Sequence, residues 1–197
     1  MGNLVLALAA LAFAFAPAAF SSPATVNELI GTPVFDGSGD EIGEVKDVVF
    51  DARDGAIVAL TVEYGRWLRV ASHEAAFVPG DFLRATQGLV LKLPAAALRR
   101  TPPLGLANWP ALRASYVMGR EVRDRLRRDS GVMVDLVVDL ARMRISSVII
   151  DLRDEWEERE RLLRLPFPAL AFPREFGDFP TLRVRREQLG AGKTTEP

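Results

Sequence analysis

GEVKDVVFDARDGAI, Gly43 to Ile57, and GVMVDLVVDLARMRI, Gly131 to Ile145, are two versions of one pattern set 88 residues apart. The same offset aligns Gly31–Glu63 on Gly119–Asp151 without a gap. It keeps Gly31/Gly119, Val34/Val122, Asp36/Asp124, Gly43/Gly131, Asp47/Asp135, Val49/Val137, Asp51/Asp139 and Ile57/Ile145 identical. Glycines, aspartates and the closing isoleucine match together, which points to an internal duplication. Val48–Phe50 and Ala56–Val62 are β-branched runs of strand length. Ala52–Gly55 between them is a turn with glycine where positive φ is tolerated, and Gly37–Gly43 is another tight turn. The second copy has Leu136–Val138, Ile145–Leu152 and Leu162–Leu165 in the same places.

Beyond residue 63 the apparent offset slips. Pro79 meets Pro166 at 87, and Leu91, Leu93 and Leu98 meet Leu182, Val184 and Leu189 at 91. Pro94–Arg100 reads as a short helix, with proline in its first turn and two arginines at its C-terminal end. Arg185–Leu189 takes that place in the second copy. The boundaries that follow are 27–100 and 116–190, with a proline-rich linker over 101–115 and a tail over 191–197. Trp109, an apolar residue within the linker, is expected to dock between the copies. Short strands joined by glycine turns favour a small closed or nearly closed barrel. A unit of about 75 residues buries only about 60% of its chain surface, so packing one copy on the other helps both.

The chain has 197 residues, a formal net charge of −1 and no cysteine. Thiol catalysis, disulfides and cysteine-ligated metals are excluded. The charge gives no general attraction to nucleic acid. His73 is the single histidine, has no counterpart in the second copy, and lies near no G-x-S-x-G motif. Leu4–Ala16 is an uncharged apolar run of signal-peptide length, followed by Ala16-Pro17-Ala18 and Ser22-Pro23-Ala24. Residues 1–24 therefore read as a signal peptide. The alternative is a membrane anchor over residues 3–20, about 27 Å long as a helix against a hydrocarbon core of about 30 Å. Either reading puts the remainder outside the cytoplasm, in the periplasm or beyond it, or held at the inner membrane.

Asp47 and Asp51 on one strand stand about 13 Å apart. Paired catalytic carboxylates need about 5–9.5 Å. Asp51-Ala-Arg-Asp54-Gly also lacks the closely spaced oxygen ligands and closing glutamate of a calcium loop. Asp51 and Asp54 are expected to accept backbone N–H bonds in their turn. Asp47 shares strand parity with Val45 and Val49, which marks a bulge. For partner contacts the candidates are Trp156, within the charged stretch Asp154–Arg164, and Arg123, Arg125, Arg127 and Arg128. No cofactor motif is present.

The spacing Gly31, Val34, Asp36, Gly39, Gly43, Val45, Asp47, Val48, Val49 and Asp51, then Ile57, Leu60 and Val62, resembles the PRC-barrel domain. That β-barrel is shared by the H subunit of the photosynthetic reaction centre and a ribosome maturation factor. The resemblance extends through the repeat to Gly119, Asp124, Gly131, Asp135 and Asp139, with arginines replacing the glycine turn. It implies a mainly β chain of two small barrels in tandem, each with a short helix near its end, behind an N-terminal signal or anchor helix. Its aspartates and glycines are then structural. The implied role is a non-catalytic interaction or assembly module, partnered by an unidentified envelope or membrane protein. The alternatives are a membrane-anchored accessory subunit and a binder of a small ligand or metal ion between the barrels, through Asp47 and Asp135.

Overall fold

The computed structural model describes residues 23–65, 73–85, 88–94, 96, 98, 111–152, 161–172 and 178–183. Among the described residues are two sheets of seven strands. The first contains β2 (Pro33–Phe35), β3 (Glu41–Asp51), β4 (Ile57–Tyr64), β5 (His73–Phe77), β6 (Phe82–Ala85) and β7 (Gly88–Leu91), in the order β5-β4-β3-β2-β7-β6. The second contains β9 (Glu121–Arg123), β10 (Asp129–Asp139), β11 (Arg144–Asp151), β12 (Leu162–Pro166), β13 (Leu170–Ala171) and β14 (Thr181–Leu182), in the order β12-β11-β10-β9-β14-β13. Strand for strand, the orders match. The expected β class is therefore observed, and the sequence duplication is a duplication of sheet topology.

The register corrects the alignment. Leu60 pairs with Phe77, and Val148 with Leu165, so the offset of 88 holds into β5 and β12. It holds through the 3-10 turns Pro79–Asp81 and Phe167–Ala169, which makes Phe167, not Pro166, the counterpart of Pro79. The offset of 91 is right at the last strand: Phe82 pairs with Leu91, and Leu170 with Leu182.

A second correction concerns closure. Among the described residues each sheet is an open path of pairings, not a barrel closed by hydrogen bonds. In the first sheet the two end strands, β5 and β6, are consecutive in the chain and separated by the turn Pro79–Asp81. Side chains meet where the ladder does not: Phe77 and Phe82 are edge to face, 6.1 Å between centroids.

Helices were expected near the end of each unit, but the regular helices among the described residues stand at the start. These are α1 (Val26–Leu29) and α2 (Ala114–Val117). Most of 94–100 and all of 185–189, where helices were expected, lie outside the described residues, as do the N-terminal segment 1–22, Trp109, Trp156 and the tail. Two short strands precede the helices, β1 (Ala24–Thr25) and β8 (Ala111–Arg113). Composition assigned 111–115 to the linker, and the structure makes them strand and helix. Their pairing partner is distant in sequence, so no local pattern announces it.

Glycine is required where strands approach closely. A Cβ on Gly43 would collide with the carbonyl oxygen of Glu63, and one on Gly131 with that of Asp151. Gly131 also has φ +127°. Overpacking that backbone cannot relieve costs about 1–3 kcal/mol. Gly43→Ala and Gly131→Ala are each expected to lose at least about 2 kcal/mol in urea unfolding, with Gly131→Ala the worse because it adds backbone strain.

Candidate functional site

The two units exchange their first strands. β1 pairs with β10 of the second sheet (Ala24 with Val138, Thr25 with Val137). β8 pairs with β3 of the first sheet (Leu112 with Phe50, Arg113 with Val49). Each pairing maps onto the other by the offset of 88, the reciprocal pattern of a two-fold interface.

Asp47 and Asp135 complete the exchange. The Ser115 N–H, in the first turn of α2, donates to Asp47 Oδ1 at 3.1 Å, and the Ser115 hydroxyl donates to Asp47 Oδ2 at 2.5 Å. The Asn27 N–H, in the first turn of α1, donates to Asp135 Oδ1 at 3.3 Å. Each aspartate thus accepts from a helix start that belongs to the other unit. α2 needs this more, because its N-cap is Arg113, whose side chain makes no cap bond. α1 has a local capping box between Thr25 and Glu28. The expected bulges are present: register shifts fall between Val45 and Asp47, and between Met133 and Asp135. Each bulged aspartate also accepts its neighbour's N–H, Val48 or Leu136, at 2.8 Å.

The hairpin tips add a second reciprocal contact. The Ile57 N–H donates to the Met143 carbonyl at 2.9 Å, and the Ile145 N–H donates to the Gly55 carbonyl at 2.7 Å. The Arg144 guanidinium donates to the Asp54 carbonyl. Phe50, fully buried, meets the second unit's Phe167 and Phe172 edge to face at 5.9 and 5.3 Å. One hydrophobic cluster contains residues of both sheets.

The other sequence candidates divide cleanly. Asp51 and Asp139 hold their own turns: Asp51 accepts from the Arg53 N–H and guanidinium, Asp139 from those of Arg142. Asp54 accepts the Ala56 N–H as expected. Asp36 and Asp124 organise the hairpins after β2 and β9 through Ser38, Asp40, Leu126 and Arg128 amides. Gly31 and Gly119 carry positive φ after each helix, and each donates to a carbonyl of its own long strand. Of the arginines proposed for a partner, Arg128 is bound to Asp124, and Arg123 to Glu121 and the face of Phe179. Arg125 and Arg127 are exposed. Arg127 holds φ +63° where the first unit has Gly39. His73 lies beside Tyr64, centroids 5.6 Å apart.

Asp47 and Asp135 do not line the cleft between the units, and among the described residues no group of three potential metal ligands forms. The cleft, about 770 Å³, is lined instead by Leu29, Ile57, Leu60, Phe82, Leu89 and Met143, with Glu28, Thr32 and Arg84 as its charged or hydroxyl-bearing side chains. A cleft between the units was expected, but with Asp47 and Asp135 as its ligands; its actual lining was not legible because its walls come from both units.

Residues 24–91 match the family model of the PRC-barrel domain. The PRC-barrel stretch runs from the first residue of β1 to the last of β7, so it covers the first unit and stops before β8. No curated protein matches the chain.

Two outcomes follow from this geometry. Asp47→Ala removes a charged acceptor from two α2 groups and is expected to cost about 2–3 kcal/mol, Asp135→Ala about 1–2 kcal/mol. In amide NMR the Asp47 variant is expected to move the Ser115 resonance, although the two residues lie in different units. Acid stability follows from the turn carboxylates. Hydrogen bonds from the side chains of Ser38, Arg53, Arg128 and Arg142 hold Asp36, Asp51, Asp124 and Asp139 respectively below the usual carboxylate range. Their stabilisation is complete above about pH 4 and disappears as pH falls through the lower folded-state values. Urea unfolding at pH 6 and pH 3 is expected to show that loss, and Arg53→Met to reduce it.

Proposed function

We propose that the chain is an exported, non-catalytic assembly module of two tandem PRC-barrel units that binds another protein of the bacterial envelope. The observation that carries this reading is a contrast between equivalent surface rows. In the first unit Glu44, Glu63 and Glu74 lie in register across β3, β4 and β5, with Lys46 bound to Glu63 and Arg113 to Glu74. In the second unit the same row is Val132, Asp151 and Leu162, with Val134 in place of Lys46. Val132, Val134 and Leu162 are 43%, 38% and 46% exposed. At constant backbone register the charges either side of the central carboxylate have become apolar, while Asp151 itself is buried, and β12 beside it is an end strand of its sheet. Apolar surface with an adjacent sheet end suits protein docking. The site aspartates support a non-catalytic role, because their oxygens are engaged in capping and turns.

Export rests on the apolar run Leu4–Ala16. Processing after Ala18 would leave β1 whole, whereas a cut after Ala24 would remove half of its pairing with β10. N-terminal sequencing of protein recovered from cells is expected to begin at Ala19. An intact Met1 would favour the anchored accessory subunit instead.

A photo-crosslinking residue at position 132 is expected to give a discrete adduct with one envelope protein in living cells. The same residue at position 44 gives none. Val132→Glu/Val134→Lys/Leu162→Glu, which restores the first unit's charges, is expected to keep the fold and lose the partner. No discrete adduct, or a partner retained by that variant, would overturn the assembly role.

A further inference from the structure

β12 departs from its counterpart β5 on both faces. Leu163 and Leu165 are half-buried where Ala75 and Phe77 are buried, and Leu162 is exposed where the first unit has Glu74 bound to Arg113. Arg164 is exposed in the place of Ala76 and makes no ion pair among the described residues. The backbone of β12 is open as well. The Leu152 N–H donates to the Arg161 carbonyl at 3.0 Å, which sets the phase of the ladder between β11 and β12. In an antiparallel pair the bonding residues alternate. Leu163, opposite Ile150, and Leu165, opposite Val148, are therefore turned towards β11. The N–H and C=O of Leu162 and Arg164 point the other way, where among the described residues no strand pairs. Pro166 shares that outward phase, where a missing N–H costs no ladder bond.

We infer that the partner binds by adding an extended segment to β12 as a further strand, with an apolar residue opposite Leu162 and a carboxylate opposite Arg164. This mode of binding rests on the assembly role proposed above. Main-chain bonds to Leu162 and Arg164 supply the affinity of such an added strand, and the side chains facing it select its sequence. The incoming strand also covers Leu163 and Leu165. Opposite charges facing each other across two strands stabilise the pair, and like charges destabilise it. A second copy of this chain is the poorer occupant for that reason: antiparallel pairing of two β12 strands about Arg164 sets arginine against arginine.

The probe is a photo-crosslinking residue at position 132, in the row of Leu162. In the purified adduct the Leu162 and Arg164 amides are expected to exchange at least about tenfold more slowly than in the free chain, with those of Leu163 and Leu165 little changed. Arg164→Pro removes one outward N–H and leaves the ladder with β11 whole. It is expected to keep the melting temperature and to lower the adduct yield at least about fivefold. Arg164→Glu, which keeps the N–H and reverses the charge, is expected to lower the yield too, and Arg164→Lys to retain it. An undiminished yield in folded Arg164→Pro, or Leu162 and Arg164 amides left unprotected in the adduct, would overturn strand addition and leave the assembly role standing. No adduct in the parent chain, or an adduct of two copies of it, would overturn the assembly role and strand addition with it.

Discussion

The architecture depends on an acidic side chain in one unit holding the start of a helix in the other. Asp47 accepts two hydrogen bonds from Ser115, and Asp135 accepts one from Asn27. Both aspartates are buried, so these donors, with the N–H groups of Val48 and Leu136, offset the cost of taking a carboxylate out of water. The bulge at each aspartate turns it out of the regular alternation and towards the neighbouring unit. The exchange of β1 and β8 then brings the donors to it. Neither unit supplies all of its own seventh strand and helix contacts, so each is incomplete without the other.

That interdependence explains the placement of the apolar core. A sheet of short strands exposes an apolar face that must be covered. Here the covering is mutual: Phe50 from the first sheet packs on Phe167 and Phe172 of the second. The hairpin tips, bridged between Ala56 and Arg144, fix the relative position of the sheets. Once the frame is fixed twice over, residues on it can diverge. Where the first unit has Gly39 and Gly55 the second has Arg127 and Met143, which hold positive φ without glycine's freedom. The second unit has exposed Val132, Val134 and Leu162 where the first has charged side chains, and Phe167 and Phe172 stack in its half of the junction. The first unit's half borders a cleft. Two copies of one fold thereby present different surfaces.

Much of the fold was legible in the sequence. The strands at Val48–Phe50, Ala56–Val62 and Ile145–Leu152 were marked by β-branched runs, and the turns by glycine and aspartate. The turn-capping roles of Asp51 and Asp54 followed from their distance to the next amides. The closure of a barrel did not follow, because local pattern predicts strands and not whether the end strands pair. Nor did the alignment at Pro79: matching proline to proline favours Pro166, while the ladder pairs Leu165 with Val148 and puts Phe167 there.

By itself the sequence determined that the chain is mainly β, that it is written twice, and that both copies keep the same aspartate, Asp47 and Asp135. Periodicity and repetition are local or self-referential, and a linear text carries both. Only the tertiary structure decided what those aspartates hold. Their donors lie 68 and 108 residues away, on helices of four residues with no long periodic pattern. The first strand of each copy likewise finds its partner across the junction. Contacts of that separation arise from the relative placement of two sheets, and nothing in either copy's own sequence encodes it.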